Sequence, residues 1–294
     1  MTLARLTILV PILAGCMADA PPPTMDEIAN AVIPGIYDEP IQLDAGRFEG
    51  PPFQEDGASR PSVFLSQRLI AFTDVDGDGQ EEAAALMEEN SGGTGRFSYL
   101  GVFRRDGDEV RTLAIARLDD RIQVRSLSGS AGEFLVDAIA TGPGDAACCP
   151  TMKTLYRARM TGDDLTVARE PLGPVGLSDL AETAWRLERF AFAEAPVEAA
   201  QVTLAVEADG AVRGRAGCNS YSGRVTSDPE RKTFEVGPMA VTQRMCAPEE
   251  MAVEDRFLSA MEVVTGYSWS QGQLQLSYTR DSDYAALYLD PVSR

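Results

Sequence analysis

In the stretch FTDVDGDGQEEAAAL, Asp74, Asp76, Asp78 and Glu82 occupy positions 1, 3, 5 and 9 of a loop punctuated by Gly77 and Gly79. Carboxylates alternating on a tight glycine turn converge on one point, which is how hard, oxygen-seeking cations are held. The backbone carbonyl of Gln80 is placed to add a further oxygen. The chemistry expected is a structural calcium ion. The same residues also make an acidic turn whose carboxylates accept backbone N–H groups with no ion bound, and the sequence leaves both readings open.

The remaining reactive groups are five cysteines, Cys16, Cys148, Cys149, Cys218 and Cys246, in a chain with no histidine. Without imidazole there is no Ser-His-Asp triad, little scope for zinc catalysis, and no base beside Cys218 to make it a nucleophile. The carboxylate pairs Glu88-Glu89 and Glu249-Glu250 have no spacing that marks them as an acid/base couple, and read as solvated surface. The glycine cluster in ENSGGTGRF lacks the Lys-Ser/Thr ending of a phosphate loop and reads as a hairpin turn. A formal charge of -19 repels nucleic-acid phosphates, so no nucleic-acid partner is expected. The expectation is a protein that is not an enzyme.

The elements that must position these groups are mostly strands. Runs such as PSVFLSQRLIAFTD, EEAAALMEE, FSYLGVFRRDGDEVRTLAIARL, DRIQVRSLSG and GEFLVDAIATG are short and apolar, broken by Gly, Asp and Asn. A helix capped by Thr24 precedes them in TMDEIANAVI. These define a β-rich N-terminal domain over 24–168, and the Pro/Gly-rich REPLGPVGLSDLAET suggests a linker over 169–181. A second domain over 182–294 has hairpin signals at Asp209-Gly210 and Gln271-Gly272 and one amphipathic helix, PEEMAVEDRFLSAMEVV. The fold class expected is mainly β (α+β) in two domains. The acidic stretch resembles the calcium loops of EF-hand and β-propeller-type repeats, but departs from the EF-hand in carrying Ala85 at position 12 and in its strand-like flanks. Its expected affinity is modest, about 10⁻⁴ to 10⁻³ M.

The chain opens MTLARLTILVPILAGC, an apolar run after Arg5 that is too short to span a bilayer and reads as a signal peptide over 1–15. Leu13-Ala14-Gly15-Cys16 resembles the bacterial lipobox, which implies lipidation of Cys16 and a membrane partner through that anchor. Met17, rather than Asp, after the cysteine implies the outer membrane, facing the periplasm. Residues 16–23 then form a tether.

In the second domain, Trp185, Leu187, Gly217-Cys218-Asn219, Gly223, Gly237-Pro238-Met239, Thr242, Met245-Cys246, Glu254, Phe257 and Tyr267 occur in an order that resembles the META, or HslJ-like, domain. The resemblance implies a compact β-barrel-like sheet closed by one helix, and an envelope protein linked to stress and drug tolerance. In an exported chain without histidine, a Cys218–Cys246 disulfide is the economical use of that pair, and Asn219 reads as a turn residue. Cys148 and Cys149 are either a vicinal disulfide with a redox role, or a static or unpaired couple. The function expected is a non-catalytic cell-envelope lipoprotein, a binding or stress-maintenance module with an envelope protein partner. The alternatives are a carboxylate-dependent envelope hydrolase, an inhibitor presenting the loop between Ser220 and Met245, or a spacer.

Overall fold

The computed structural model describes residues 21–292, apart from 56, 182, 192, 193, 198–200, 232, 281 and 282. The expected signal peptide, the lipidation site Cys16 and most of the tether lie outside the described residues. The described chain is mostly β, as expected, with 54% of residues in strands and 9% in helices. None of its helices is long and apolar enough to cross a membrane.

The chain begins with helix α1 (Met25–Ile28) and the short strands β1 (Val32–Ile33) and β2 (Ile41–Gln42). Thr24 and Glu27 form a reciprocal capping box at α1. The helix is shorter than the sequence pattern suggests, because Ile33 leaves it to pair with Ile41. Strands β3 (Arg47–Glu49), β4 (Ser62–Thr73), β5 (Glu82–Asn90), β6 (Phe97–Asp106) and β7 (Glu109–Asp120) follow as a five-stranded sheet in chain order. A four-stranded sheet comes next, also in chain order: β8 (Gln123–Ser130), β9 (Glu133–Ala140), β10 (Met152–Thr161) and β11 (Asp164–Pro174).

Strand β5 shows how one sheet serves two cores. Its alternate residues Ala83, Ala85 and Met87 pack against α1, β1 and β2 with Ile28, Ile33 and Leu43. Ala84 and Leu86 point the other way, to meet Phe134, Val136 and Tyr156 of the second sheet. Burial on both faces is why AAALM reads as an unbroken apolar run rather than an alternating one. On β6, a side chain at Gly101 would press on the Phe103 ring and on Met87, at 2.8 and 2.9 Å, so the glycine leaves the room these two side chains use.

The span 169–181, expected as a linker, is instead built into the body as the second half of β11 and helix α2 (Leu177–Ala181). Pro171 and Pro174 are accommodated because β11 is the outer strand of its sheet, where a missing N–H breaks no second ladder.

Beyond α2, β12 (Ala184–Arg189), β13 (Thr203–Val206), β14 (Ala211–Arg215), β15 (Ser220–Thr226), β16 (Glu235–Val236) and β17 (Ala240–Val241) are followed by helix α3 (Pro248–Met261). The chain ends with β18 (Val264–Ser270), β19 (Gln273–Arg280) and β20 (Asp283–Val292). These nine strands form one sheet ordered β16-β15-β14-β13-β12-β20-β19-β18, with β17 beside β15. The sheet curls until its ends meet: Thr233 bridges Gly266, and the Phe234 N–H donates to the Thr265 carbonyl at 3.1 Å. Proline opens α3, Glu249 and Glu250 sit in its first turn where the helix dipole favours carboxylates, and Phe257, Ala260 and Met261 enter the barrel core.

The two bodies share side chains. Ile139 of β9, Val175 and Leu180 belong to the barrel core. The Gly272 N–H donates to the Val124 carbonyl at 3.0 Å, and Arg68 pairs with Glu188 and Asp290.

Candidate functional site

The acidic loop joins β4 to β5. Gly77 and Gly79 have φ of +81° and +93° with open space around both, so the backbone conformation, and not crowding, asks for glycine. Folded this way, the loop turns its own N–H groups inward. Asp74 accepts from Gly77 at 2.7 Å, Asp78 at 3.1 Å and Gly79 at 3.0 Å, while Asp76 accepts from Asp78 and Asp78 from Gln80.

One carboxylate oxygen each of Asp74, Asp76 and Asp78 lies within 4.8 Å of the others. Three carboxylate oxygens suit a hard cation. Glu82 stands apart from this group: fully buried under the loop, it accepts the Val75 N–H at 3.0 Å and Nε of Arg104 at 2.9 Å. Burial pushes the Glu82 carboxyl up, opposed by the Val75 N–H and by Arg104. Gln80 contributes its N–H to Asp78.

Arg104 is the residue that sequence reasoning missed. Its guanidinium pairs with Asp76, Asp78 and Glu82 together, the Asp78 contact measuring 3.3 Å. The available signal was the β5/β6 register: Ala83 lies opposite Phe103, so the next pair outward sets Glu82 against Arg104.

The second cluster gathers the GCN residues with α3. Cys218 and Cys246 are bonded across a sequence separation of 28, with Cα atoms 5.9 Å apart. Asn219 takes an ordinary backbone conformation, not the positive φ expected of a turn residue; Gly217 supplies that, at +124°. The Asn219 side chain is instead a buried hub. Its Nδ2 donates to Glu254 at 2.9 Å and to the Arg244 carbonyl at 3.1 Å, and its Oδ1 accepts from the Thr242 hydroxyl at 2.9 Å and the Arg244 N–H at 2.7 Å. Glu254 also accepts the Asn219 N–H at 2.6 Å. Asn219 is 2% exposed and Glu254 4%, so the two bonds between them are shielded from water, while those to Thr242 and Arg244 lie at the edge of the buried region.

This clasp holds segment 240–246, whose first residues Ala240, Val241 and Thr242 line an open groove of about 740 Å³ on the outer face of β13, β14, β15 and β17. Thr203, Ala205, Arg213, Arg215, Ser220 and Ser222 are among its lining residues. Beneath it Tyr221 donates to the Thr203 carbonyl at 2.9 Å, and burial pushes its phenol far above the ordinary range.

Cys148 and Cys149 are bonded to each other and both are exposed, in the loop between β9 and β10. That loop is shaped by Asp145, which accepts the N–H groups of Gly142 and Thr151 at 2.8 and 2.7 Å and the Thr151 hydroxyl at 2.9 Å.

Comparison with known proteins bears on the barrel. No curated protein matches the chain. A solved structure, titled the NMR structure of the protein from Burkholderia xenovorans, is similar at 21% identity, covering 44% of this chain and 94% of that one with a TM-score of 0.32. The model of the META domain matches residues 178–289, starting inside α2 and therefore slightly ahead of the boundary expected from sequence. The C-terminal region of this chain thus carries a META domain, which points to a bacterial stress-related or envelope module.

Proposed function

We propose that this protein is a non-catalytic cell-envelope lipoprotein, tethered to the outer membrane through Cys16 and facing the periplasm, which works by holding an envelope protein partner. The observation that carries the reading is the use made of the META motif. Cys218, Asn219, Thr242 and Glu254 are the residues whose types suggest chemistry, and each is bound to the others or to nearby backbone. A carboxylate and an amide saturated with hydrogen bonds position a segment; they do not transfer protons to a substrate. What they position is the rim of the groove on the outer sheet face, which is the binding surface in this proposal. A calcium ion held by Asp74, Asp76 and Asp78, taking the place of Arg104 on the last two, is its structural accessory, stiffening the β4–β5 turn.

The test has two arms. Metabolic labelling with palmitate reads the anchor, with label expected on the chain and absent from Cys16→Ser. A photocrosslinking residue at Ser222, in the groove, is expected to give one defined adduct in intact envelopes, while the same probe at the exposed Arg159 of β10 gives none. No adduct from Ser222, or turnover of peptidoglycan fragments by the purified chain, overturns the binding reading.

A further inference from the structure

The vicinal cysteines differ from the other pair in every respect that matters for a structural bond. A disulfide stabilises a fold by tying together parts of the chain that would otherwise separate on unfolding. Cys218–Cys246 does this across 28 residues with Cys218 3% exposed, whereas Cys148–Cys149 has a separation of 1 and joins nothing that the peptide bond has not already joined. Stability therefore does not explain it. Nor does the shape of the loop depend on it, because Asp145 fixes the turn from Gly142 to Thr151, and the Cys149 N–H donates to the Ala146 carbonyl at 2.9 Å. The Arg121 guanidinium, paired with Asp120 at 2.8 Å, also donates to the Ala147 carbonyl at 3.5 Å and so adds a further hold on the loop that does not involve the sulfurs. Both cysteines face solvent, where a reductant can reach the sulfur.

We propose that Cys148–Cys149 is a thiol–disulfide exchange site that accepts two electrons from a dithiol, either a small molecule or a protein carrying a reduced cysteine pair. A thiolate of the reductant attacks one of the two sulfurs and the bond between them breaks. Its electron pair leaves on the other sulfur, which takes up a proton. The reductant's second thiol loses its proton, attacks the mixed disulfide and departs as an internal disulfide, leaving Cys148 and Cys149 as two thiols. Two electrons and two protons pass from the dithiol to the pair, and no further co-reactant is needed.

The experiment equilibrates the full mature chain, oxidised, with graded ratios of reduced to oxidised dithiothreitol, quenches with acid, alkylates and maps the cysteine peptides by mass spectrometry. Half-reduction of Cys148–Cys149 is expected at a ratio at least tenfold lower than that of Cys218–Cys246. A smaller separation, the reverse order, or a Cys148/Cys149 pair that stays as free thiols under oxidising buffer overturns the proposal. The double variant Cys148→Ser, Cys149→Ser is expected to keep the near-ultraviolet circular dichroism and Tm of the unaltered chain. Loss of folding in that variant makes the bond structural, and equally overturns it.

Discussion

Replacing Glu254 by Gln tests whether the GCN cluster is a clasp. The carboxylate accepts two bonds from one residue, the Asn219 N–H at 2.6 Å and Nδ2 at 2.9 Å, and is 4% exposed. A glutamine keeps the size and one acceptor oxygen, but turns its NH₂ toward the other donor. One charge-assisted bond is lost, worth about 1.5–3 kcal/mol, and the donor it leaves is buried without a partner. The expected loss is about 2–4 kcal/mol, or roughly 4–16 °C in Tm at the 2–4 °C per kcal/mol that applies to bodies of 150–250 residues. Urea unfolding followed through Trp185 and Trp269, both in the barrel core, measures it. A double-mutant cycle with Asn219→Ala is expected to return a coupling energy of about 1 kcal/mol or more. If Glu254→Gln changes stability by less than about 0.5 kcal/mol, the hub reading fails and Glu254 becomes free to be considered for chemistry.

Reducing Cys218–Cys246 opens a closed loop of about 29 residues and is expected to cost about 3.6 kcal/mol on the chain-entropy model, read as a shift in urea midpoint for Cys218→Ser, Cys246→Ser. For the acidic loop, 10 mM calcium against a Kd of about 1 mM is expected to add about 1.4 kcal/mol, lost in Asp76→Asn, Asp78→Asn; the absence of a calcium-dependent Tm shift removes the ion from the proposal. The hydrogen bond from Arg105, helped by the Thr24 N–H and hydroxyl, holds the Glu27 carboxyl down at about 2 from its ordinary 4.5. A depressed carboxylate contributes stability that is present above its unfolded pKa and lost as pH falls through the folded one. Acid unfolding between about pH 4.5 and 2 is therefore expected to be less steep in Glu27→Gln, with only a small effect because the group is at the surface.

What the sequence made legible was local. Asp209-Gly210 and Gln271-Gly272 do turn their hairpins, at β13–β14 and β18–β19, and α3 buries Phe257 and Met261 from the face its periodicity marks. Val264, the last residue of the expected helix PEEMAVEDRFLSAMEVV, instead opens β18. What stayed hidden depends on partners far away in the chain. The resemblance singles out Glu254 but gives it no role, which is set only when the fold brings Asn219, 35 residues earlier, over it. Arg104 looks like half of a solvated Arg-Arg pair until the β5/β6 register sets it against Glu82. The linker was misjudged for a related reason: Pro and Gly punctuate a chain only where backbone donors are needed, and an outer strand needs fewer of them.

The junction shows why the META domain of this chain is best understood together with the sheets before it. Asp179 of α2 is 2% exposed, and a carboxylate so placed must be paired. It accepts the Gly176 N–H at 2.8 Å from its own turn, but its cations come from the four-stranded sheet: Lys153 of β10 at 2.8 Å and Arg125 of β8 at 3.3 Å. Arg125 in turn lies over the ring of Trp269 on β18, 5.3 Å from its centroid. Charge from the first body therefore neutralises charge in the second, while Ile139 fills part of the second body's core. Cutting at residue 178 would strip the cations from Asp179 and uncover the apolar side chains that Ile139 covers. The groove, the clasp and the vicinal cysteines are consequently carried on one continuous body.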